Sequence, residues 1–347
     1  MVLPLSLLHS TRSFRACFGT ARTIAAASSR ALTTSAKPSL AQIVGRLRRE
    51  TQAPITRARA AAEKFPNDYD AALRWLQEEM GRVGREKASK LAERTANEGM
   101  VAVLAGPGAR GVLVDMACET DFVAKNAVFR QLIERTAITA MLAGDFSAAS
   151  TTAVSVGGLA KPISPEVLLE APLLELPEAA PSVDMAAEPK RVADGILDAV
   201  SKLGEKITLR QVLLMDGEAS MTSHVLRQAA GYAHGGADPG AGRLASLVVV
   251  EAEAKEADAE TVATAGFRQA LTVLGRDLAR QVVGFAPTCI DVPAGETSEE
   301  AMGAALLRQP SLQGGGTVAE ALEAFAAKHK IEAVRVVDFV RLEAGSK

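Results

Sequence analysis

The chain has 347 residues, enough for two or three domains, and 48% of them are hydrophobic while only 4% are aromatic. The formal net charge of −2 argues against a general nucleic-acid-binding protein, which needs a strongly basic face. No apolar run approaches the roughly 18 residues of a membrane-spanning helix, so we predict no membrane segment. The composition predicts a sizeable core built mainly from alanine, valine and leucine.

The three cysteines and four histidines show no spacing typical of a metal site or a redox motif. We therefore expect free thiols in a reducing compartment, with no metal site and no cofactor. No serine or cysteine nucleophile arrangement accompanies His224 or His234, and the glycine-rich segment from Gly106 to Gly111 lacks the Lys-Ser/Thr pair of a phosphate-binding loop. The sequence thus predicts a protein without catalytic residues of its own.

The N-terminal segment differs in composition from the rest of the chain. No acidic residue precedes Glu50, while arginine and lysine are spread among serine, threonine and alanine. This composition is typical of a mitochondrial transit peptide. A secretory signal is the alternative, because residues 2–8 are apolar, but that run is short and its charged residues follow it. We predict a matrix-targeting transit peptide over residues 1–38.

A three-helix module is predicted over residues 39–84. Apolar residues at helical spacing follow Ser39, which is a candidate helix cap. A second helix is predicted from Thr56 to Glu63 and a third from Tyr69 to Met80. A separate basic helix within residues 85–99 is predicted to connect this module to the remainder of the chain.

The pattern changes to β-strands after this connection. Met100 to Leu104 and Val112 to Met116 are short β-type runs separated by a glycine-rich turn, and they predict a hairpin. Asn126 is positioned to cap a following helix. Residues 143–189 lack periodicity, which predicts a long loop or linker with one short helix from Pro165 to Leu169.

The second half of the chain repeats features of the first. A glycine-rich turn, an arginine and a valine-rich strand recur before Val250, and the letters AGFRQA at 265–270 match AVFRQL at 127–132. These matches predict a duplicated unit of sheet and helix. We place the two copies in core subdomains over residues 100–190 and 191–347. A helix from Val192 to Leu203 and a strand from Ile207 to Met215 are predicted to open the second subdomain.

The fold class predicted from these elements is α+β. It consists of the N-terminal three-helix module followed by a duplicated core of antiparallel sheets packed with helices. The two copies differ between their strand and their helix, where the first reads CETDFVAKN and the second is acidic and rich in alanine. Only the first copy places a large aromatic side chain, Phe122, beside an acid, Asp121, directly after a strand.

Two interpretations of this junction remain open on the residues alone. An exposed apolar side chain at a strand end is a candidate anchor for a protein partner. Alternatively, Thr120 caps a helical turn, Asp121 complements the helix dipole, and Phe122 and Val123 fill the local core. The two interpretations are compatible, because a cap that fixes the backbone would also present the aromatic ring rigidly.

The segment TDFVAKN resembles the signature of the elongation factor Ts family, the guanine-nucleotide exchange factors of the GTPase elongation factor Tu. Weaker matches follow the family's order through the chain; they lie at residues 72–79, 87–101, 204–215 and 338–345. The resemblance implies a ubiquitin-associated-like N-terminal module and, with the transit peptide, a mitochondrial matrix protein. It also implies a one-to-one complex with mitochondrial elongation factor Tu, without direct nucleic-acid binding.

The resemblance further implies the residues that act on the partner. In the resembling proteins an Asp-Phe pair enters the GTPase near its nucleotide, disturbs Mg²⁺ coordination and loosens GDP, which supports translation elongation. Carried to this chain, the wedge is Asp121 and Phe122, shaped by Thr120 and Val123. Weaker interface candidates are Lys125, Asn126 and His234. A binding or scaffolding protein that keeps the core but has lost exchange activity is the alternative function.

Overall fold

The computed structural model describes residues 38–142, 154–174, 190–217, 222–236, 239–293 and 295–346. Apart from Pro38, the predicted transit peptide lies outside the described residues. Helices come first, and antiparallel sheets packed with helices follow, which confirms the predicted α+β class. Within the part of the chain that the structure describes, no helix is both long enough and apolar enough to cross a membrane.

Three helices form the N-terminal module; they are α1 (Leu40–Thr51), α2 (Ile55–Lys64) and α3 (Tyr69–Leu91). Asp68 caps α3 by accepting a hydrogen bond from the backbone N–H of Ala71 at 2.9 Å. Leu47 and Leu76 are fully buried between the helices. The apolar spacing that predicted the helices therefore reflects a small shared core.

The predicted connecting helix within residues 85–99 was wrong as a separate element. The helix α3 continues without a break to Leu91, and the chain enters its first strand at Glu98. Gly84 lies inside this helix, and a Cβ atom there would come 2.3 Å from the carbonyl oxygen of Leu197. The glycine therefore permits close packing of α3 against a later helix and does not end α3.

A five-stranded sheet forms the first half of the core. Its strands are β1 (Glu98–Ala105), β2 (Arg110–Cys118), β3 (Ala160–Ile163), β4 (Thr208–Asp216) and β6 (Ala241–Gly242), in the order β3-β4-β2-β1-β6. Its helices are α4 (Asp121–Ala124), α5 (Ala127–Leu142), α6 (Pro165–Glu170) and α7 (Val192–Leu203). The predicted hairpin is confirmed, because β1 and β2 pair antiparallel from Glu98–Cys118 to Ala105–Gly111. Phe129 of α5 is fully buried in the core beneath this sheet.

A three-stranded sheet forms the second half. Its strands are β5 (Val225–His234), β7 (Leu244–Glu253) and β8 (Ala333–Glu343), in the order β5-β7-β8. Its helices are α8 (Ala259–Ala263), α9 (Ala265–Phe285), α10 (Glu299–Ala304) and α11 (Val318–His329). Buried side chains from both sheets, among them Leu113 and Leu247, form a third core cluster that joins the two halves.

The two halves share their order of elements. Each has a hairpin, a short helix, a long helix, and later a 12-residue helix that leads into a strand paired with the second hairpin strand. Both of these pairings carry a register shift, between Asp115 and Met116 in the first sheet and between Val249 and Val250 in the second. The shared irregularity supports the predicted duplication.

The predicted boundary at residues 190/191 placed α7 and β4 in the second half, and the strand pairing differs from this. β4 pairs with β2 of the first sheet, with Val212 opposite Val114. The helix α7 and the strand β4 therefore complete the first copy, as α11 and β8 complete the second. The boundary was misplaced because the pairing partner of a strand is set by long-range packing and not by local sequence. The predicted helix near Pro165 is confirmed as α6, and β3 adds a strand to the predicted loop. The loop's other parts, residues 143–153 and 175–189, lie outside the described residues.

Candidate partner-binding site

The segment after β2 forms the short helix α4, and Thr120 is its cap. The backbone of Thr120 is extended, and its hydroxyl oxygen accepts a hydrogen bond from the backbone N–H of Val123 at 3.4 Å. The carbonyl of Thr120 accepts a second bond from the N–H of Ala124 at 3.2 Å. This geometry confirms the capping role considered for Thr120 and fixes the backbone on which the next two side chains stand.

Phe122 points away from the core. Phe122 is 81% exposed, whereas Val123 is 8% exposed and Ala124 is 5% exposed. The interpretation of local core filling is therefore right for Val123 and wrong for Phe122. A phenylalanine this exposed gains little burial energy in the isolated chain, and its ring is available for contact with a partner.

Asp121 and Lys125 form an ion pair on the exposed surface of α4. The Lys125 ammonium nitrogen lies 2.8 Å from a carboxylate oxygen of Asp121; the Lys125 side chain is largely exposed and that of Asp121 is about half exposed. The hydrogen bond from Lys125 lowers the pKa of Asp121 below its ordinary value, with the coulombic attraction of Lys125 and backbone N–H groups adding to it. Asp121 is consequently a carboxylate at neutral pH.

Asn126 has a structural partner. Its side-chain oxygen accepts a hydrogen bond from the N–H of Val128 at 2.9 Å, and its carbonyl accepts one from Arg130 at 3.0 Å. This confirms the predicted cap at the start of α5. Both hydrogen bonds tie Asn126 to the first turn of α5.

Cys118 supports the turn from the core side. It is fully buried, and its thiol donates a hydrogen bond to the carbonyl of Thr120 at 3.2 Å. Burial is the main cause that raises the pKa of Cys118 to about 12. The side chain is a neutral packing group at the end of β2.

Glu205 lies beneath the α4 turn and was missed as a site residue. Its carboxylate accepts hydrogen bonds from the backbone N–H of Thr120 at 3.0 Å and from the Thr120 hydroxyl at 2.7 Å. The two residues are 85 positions apart in the chain. The only signal in the sequence was the family-like segment GEKITLRQVLLM that contains Glu205, and that segment gives no partner for it.

His234 lies apart from the α4 turn, at the exposed end of β5 in the second sheet. Its ring nitrogen Nδ1 is 3.5 Å from the hydroxyl oxygen of Tyr232. A Cβ atom on Gly242 would lie 2.2 Å from the carbonyl oxygen of His234, and Gly242 pairs with Val101 of β1. The end of β5 therefore packs close to the first sheet, while His234 belongs to a different element from the other candidates.

The corresponding junction in the second half has a different surface. A 3-10 turn at Glu256–Asp258 and the helix α8 follow β7, so a short helix recurs where only the first copy was predicted to have a special segment. Val262 of α8 is buried, and the described residues of this junction include no exposed large apolar side chain. The difference between the two junctions is an exposed aromatic ring and not the helical turn itself.

Comparison with known proteins places the chain in a family. Residues 119–303 match the family model described as Elongation factor TS, more than half of the chain and all of α4. This chain belongs to the elongation factor Ts family. Relatives named mitochondrial elongation factor Ts cover most of its length. One from Postia placenta is 33% identical over 285 residues, 79% of this chain and 80% of the relative. One from Coprinopsis cinerea is 33% identical over 336 residues, 89% of this chain and 92% of the relative, and one from Salmo salar is 30% identical over 308 residues, 86% and 84%.

Membership in the elongation factor Ts family makes the chain a translation elongation factor. The names of these relatives confirm the predicted mitochondrial location, because each is named as a mitochondrial protein. The roles of Thr120, Asp121, Phe122 and Val123 toward a partner stay predictions.

Proposed function

We propose that this elongation factor Ts binds the GDP-bound form of mitochondrial elongation factor Tu in a one-to-one complex and accelerates GDP release. Asp121 and Phe122 act as a wedge at the Mg²⁺ and phosphate site of the GTPase, and Thr120 and Val123 hold the wedge in shape. The observation that carries the proposal is the exposed ring of Phe122 on a turn that Thr120 caps and in which Val123 and Ala124 are buried.

The burial energy of one phenylalanine sets the scale of the wedge's contribution. Burying a phenylalanine side chain contributes about 1.5–3 kcal/mol, and about 1.4 kcal/mol of coupling changes nucleotide affinity tenfold. Because the turn is already capped, little backbone freedom is lost when Phe122 enters a partner pocket. Phe122 alone therefore accounts for roughly one to two orders of magnitude, and a broader interface must supply any larger acceleration.

Asp121 supplies the charge in this proposal. Its carboxylate stays ionised at neutral pH, and carboxylate oxygens are ligands that Mg²⁺ prefers. A carboxylate brought beside the metal competes with the ligands that hold Mg²⁺ on GDP and adds negative charge near the phosphates. By thermodynamic reciprocity, GDP binding to the GTPase weakens its hold on this chain by the same factor.

Stopped-flow release of fluorescent GDP from mitochondrial elongation factor Tu tests the proposal. Wild-type protein is expected to accelerate release, and Phe122→Ala is expected to lose at least about tenfold of that acceleration. Phe285→Ala is the matched control, because Phe285 is 44% exposed at the far end of α9. Binding of the wild type without acceleration would favour the scaffolding alternative, and a fully active Phe122→Ala variant would exclude the wedge.

A further inference from the structure

Both oxygens of the Glu205 carboxylate are committed to Thr120, one to its N–H and one to its hydroxyl, as described above. Because the hydroxyl hydrogen is donated to Glu205, the lone pairs of the same oxygen are directed to the N–H of Val123. The hydrogen bond that caps α4 is therefore the second of two consecutive hydrogen bonds through the Thr120 hydroxyl, and the first is the one to Glu205. A four-residue helix cannot hold its own geometry, since helix nucleation is unfavourable at this length.

The turn that carries Glu205 is itself anchored at several points. The backbone N–H of Lys206 donates to the Glu119 carboxylate at 2.7 Å, and Arg94 pairs with the same carboxylate at 3.2 Å. The Lys206 ammonium donates to the carbonyls of Ala92 and Arg94 at 2.6 and 2.8 Å, just beyond the end of α3. The turn after α7 that carries Glu205 is therefore held by hydrogen bonds to the residues that follow α3 and β2.

The equivalent turn of the second half has no such carboxylate. The turn after α11 consists of Lys330, of Ile331, which is 8% exposed, and of Glu332, which is exposed and carries the turn's one carboxylate. The contact to the end of β7 is a backbone bond, from the N–H of Glu332 to the carbonyl of Glu253 at 2.8 Å. A side-chain carboxylate under the junction is therefore not needed to build this fold, and it occurs in the half that carries the exposed phenylalanine.

We infer that Glu205 is a positioning residue for nucleotide exchange, which holds the base of α4 so that Asp121 and Phe122 meet the partner in one orientation. The inference rests on the proposed exchange function. Glu205 acts through Thr120 and needs no contact with GDP or Mg²⁺. Loss of the Glu205 carboxylate is expected to lower the maximum GDP-release rate at a saturating concentration of this protein. The concentration that gives half of the maximum rate is expected to change little.

Three variants separate positioning from other roles. Glu205→Ala removes both acceptors, Glu205→Gln keeps one oxygen for the Thr120 N–H, and Glu332→Ala is the matched control in the second half. We expect Glu205→Ala to lower the maximum GDP-release rate about tenfold, as for a lost helix cap, while the half-saturating concentration changes by less than about threefold. Glu205→Gln is expected to recover most of the rate, and Glu332→Ala to match wild type.

Amide hydrogen exchange on the free protein tests the same inference without the partner. In Glu205→Ala the N–H groups of Thr120 and Val123 are expected to lose protection, while those of β2 stay protected. An unchanged protection pattern overturns the inference, as does a Glu205→Ala variant whose half-saturating concentration rises while its maximum rate is unchanged. If wild type itself does not accelerate GDP release, the proposed function fails, and protection at Thr120 still shows whether Glu205 holds the turn.

Discussion

The two halves of the core place the same elements in the same order, yet their hairpins end in different surfaces. After β2 the chain presents Phe122 to solvent at 81% exposure, whereas after β7 the apolar side chain of α8, Val262, is 2% exposed. The corresponding phenylalanines of the long helices, Phe129 and Phe267, are buried in both halves. Duplication supplied the scaffold twice, and of the two junctions only the one after β2 carries an exposed large apolar side chain.

This comparison separates two kinds of residue in the first half. Phe129 and Val123 stabilise the fold and have buried counterparts in the second half. Phe122 has no exposed counterpart at the junction after β7. Glu205 has no counterpart because the turn after α11 contacts β7 through backbone atoms. The predictions below test whether that separation holds in stability and in exchange.

The largest expected effect is on the buried phenylalanines. Phe129→Ala and Phe267→Ala each remove a buried ring, and we expect each to lower the free energy of unfolding by about 3–5 kcal/mol. Phe122→Ala should change it by less than about 0.5 kcal/mol, because the ring is already solvated. Urea denaturation followed by circular dichroism measures all three. A loss of several kcal/mol in Phe122→Ala would show that the ring is part of the core.

The residues at the register shifts of the two sheets differ, since the first sheet has the ionisable Asp115 where the second has the apolar Val249. Burial raises the pKa of Asp115 from 3.8 to about 6, although the positive charge of Arg210 opposes the increase. Because the folded state holds the proton more tightly than the unfolded state, this group stabilises the fold at low pH. That contribution is lost as pH rises from 3.8 to about 6.

Asp115→Asn should remove this pH dependence. Two pKa units correspond to roughly 3 kcal/mol, so wild type is expected to lose up to that amount, relative to the variant, between about pH 4 and 7. Urea unfolding of both proteins across this range gives the difference directly. Parallel stability curves would contradict the raised pKa.

The helix ends before β4 and β8 give the smallest expected effect. Gly204 and Lys330 both adopt left-handed backbone, with φ of +78° and +56°. Lys330→Gly should stabilise the protein by about 0.5–1 kcal/mol, and Gly204→Ala should destabilise it by about 1 kcal/mol. A Cβ atom on Gly204 would meet no atom within 4 Å, so only the backbone contributes. Thermal unfolding midpoints that shift in the same direction in both variants would contradict this account.

The sequence predicted local structure better than long-range pairing. The helical spacing around Leu47, the hairpin turn and the Thr120 cap depend on neighbouring residues, and the structure agrees with all three. The pairing of β4 with β2 and the contact between Glu205 and Thr120 depend on residues far apart in the chain. Gly84 shows the same limit, since only the approach of Leu197 explains a glycine inside a continuous helix.

The sequence predicted which segment forms the candidate site but did not predict which of its side chains are exposed. The contrast between the two copies indicated Asp121 and Phe122, yet periodicity alone favoured a place for Phe122 in the local core. Its exposure depends on how α4 lies against β1 and β2, with Val123 turned inward. That orientation follows from the cap and from Glu205, a residue whose partner the sequence does not reveal.

The most direct test of the wedge measures GDP release from mitochondrial elongation factor Tu at saturating wild-type or Phe122→Ala protein, with millimolar Mg²⁺ and again with a chelator. With Mg²⁺ present, wild type is expected to exceed Phe122→Ala by about tenfold or more. Without Mg²⁺ the difference should shrink to within about twofold, because no metal remains to be displaced. Equal rates with Mg²⁺, or a difference that chelation leaves unchanged, would contradict a wedge that acts on the metal site.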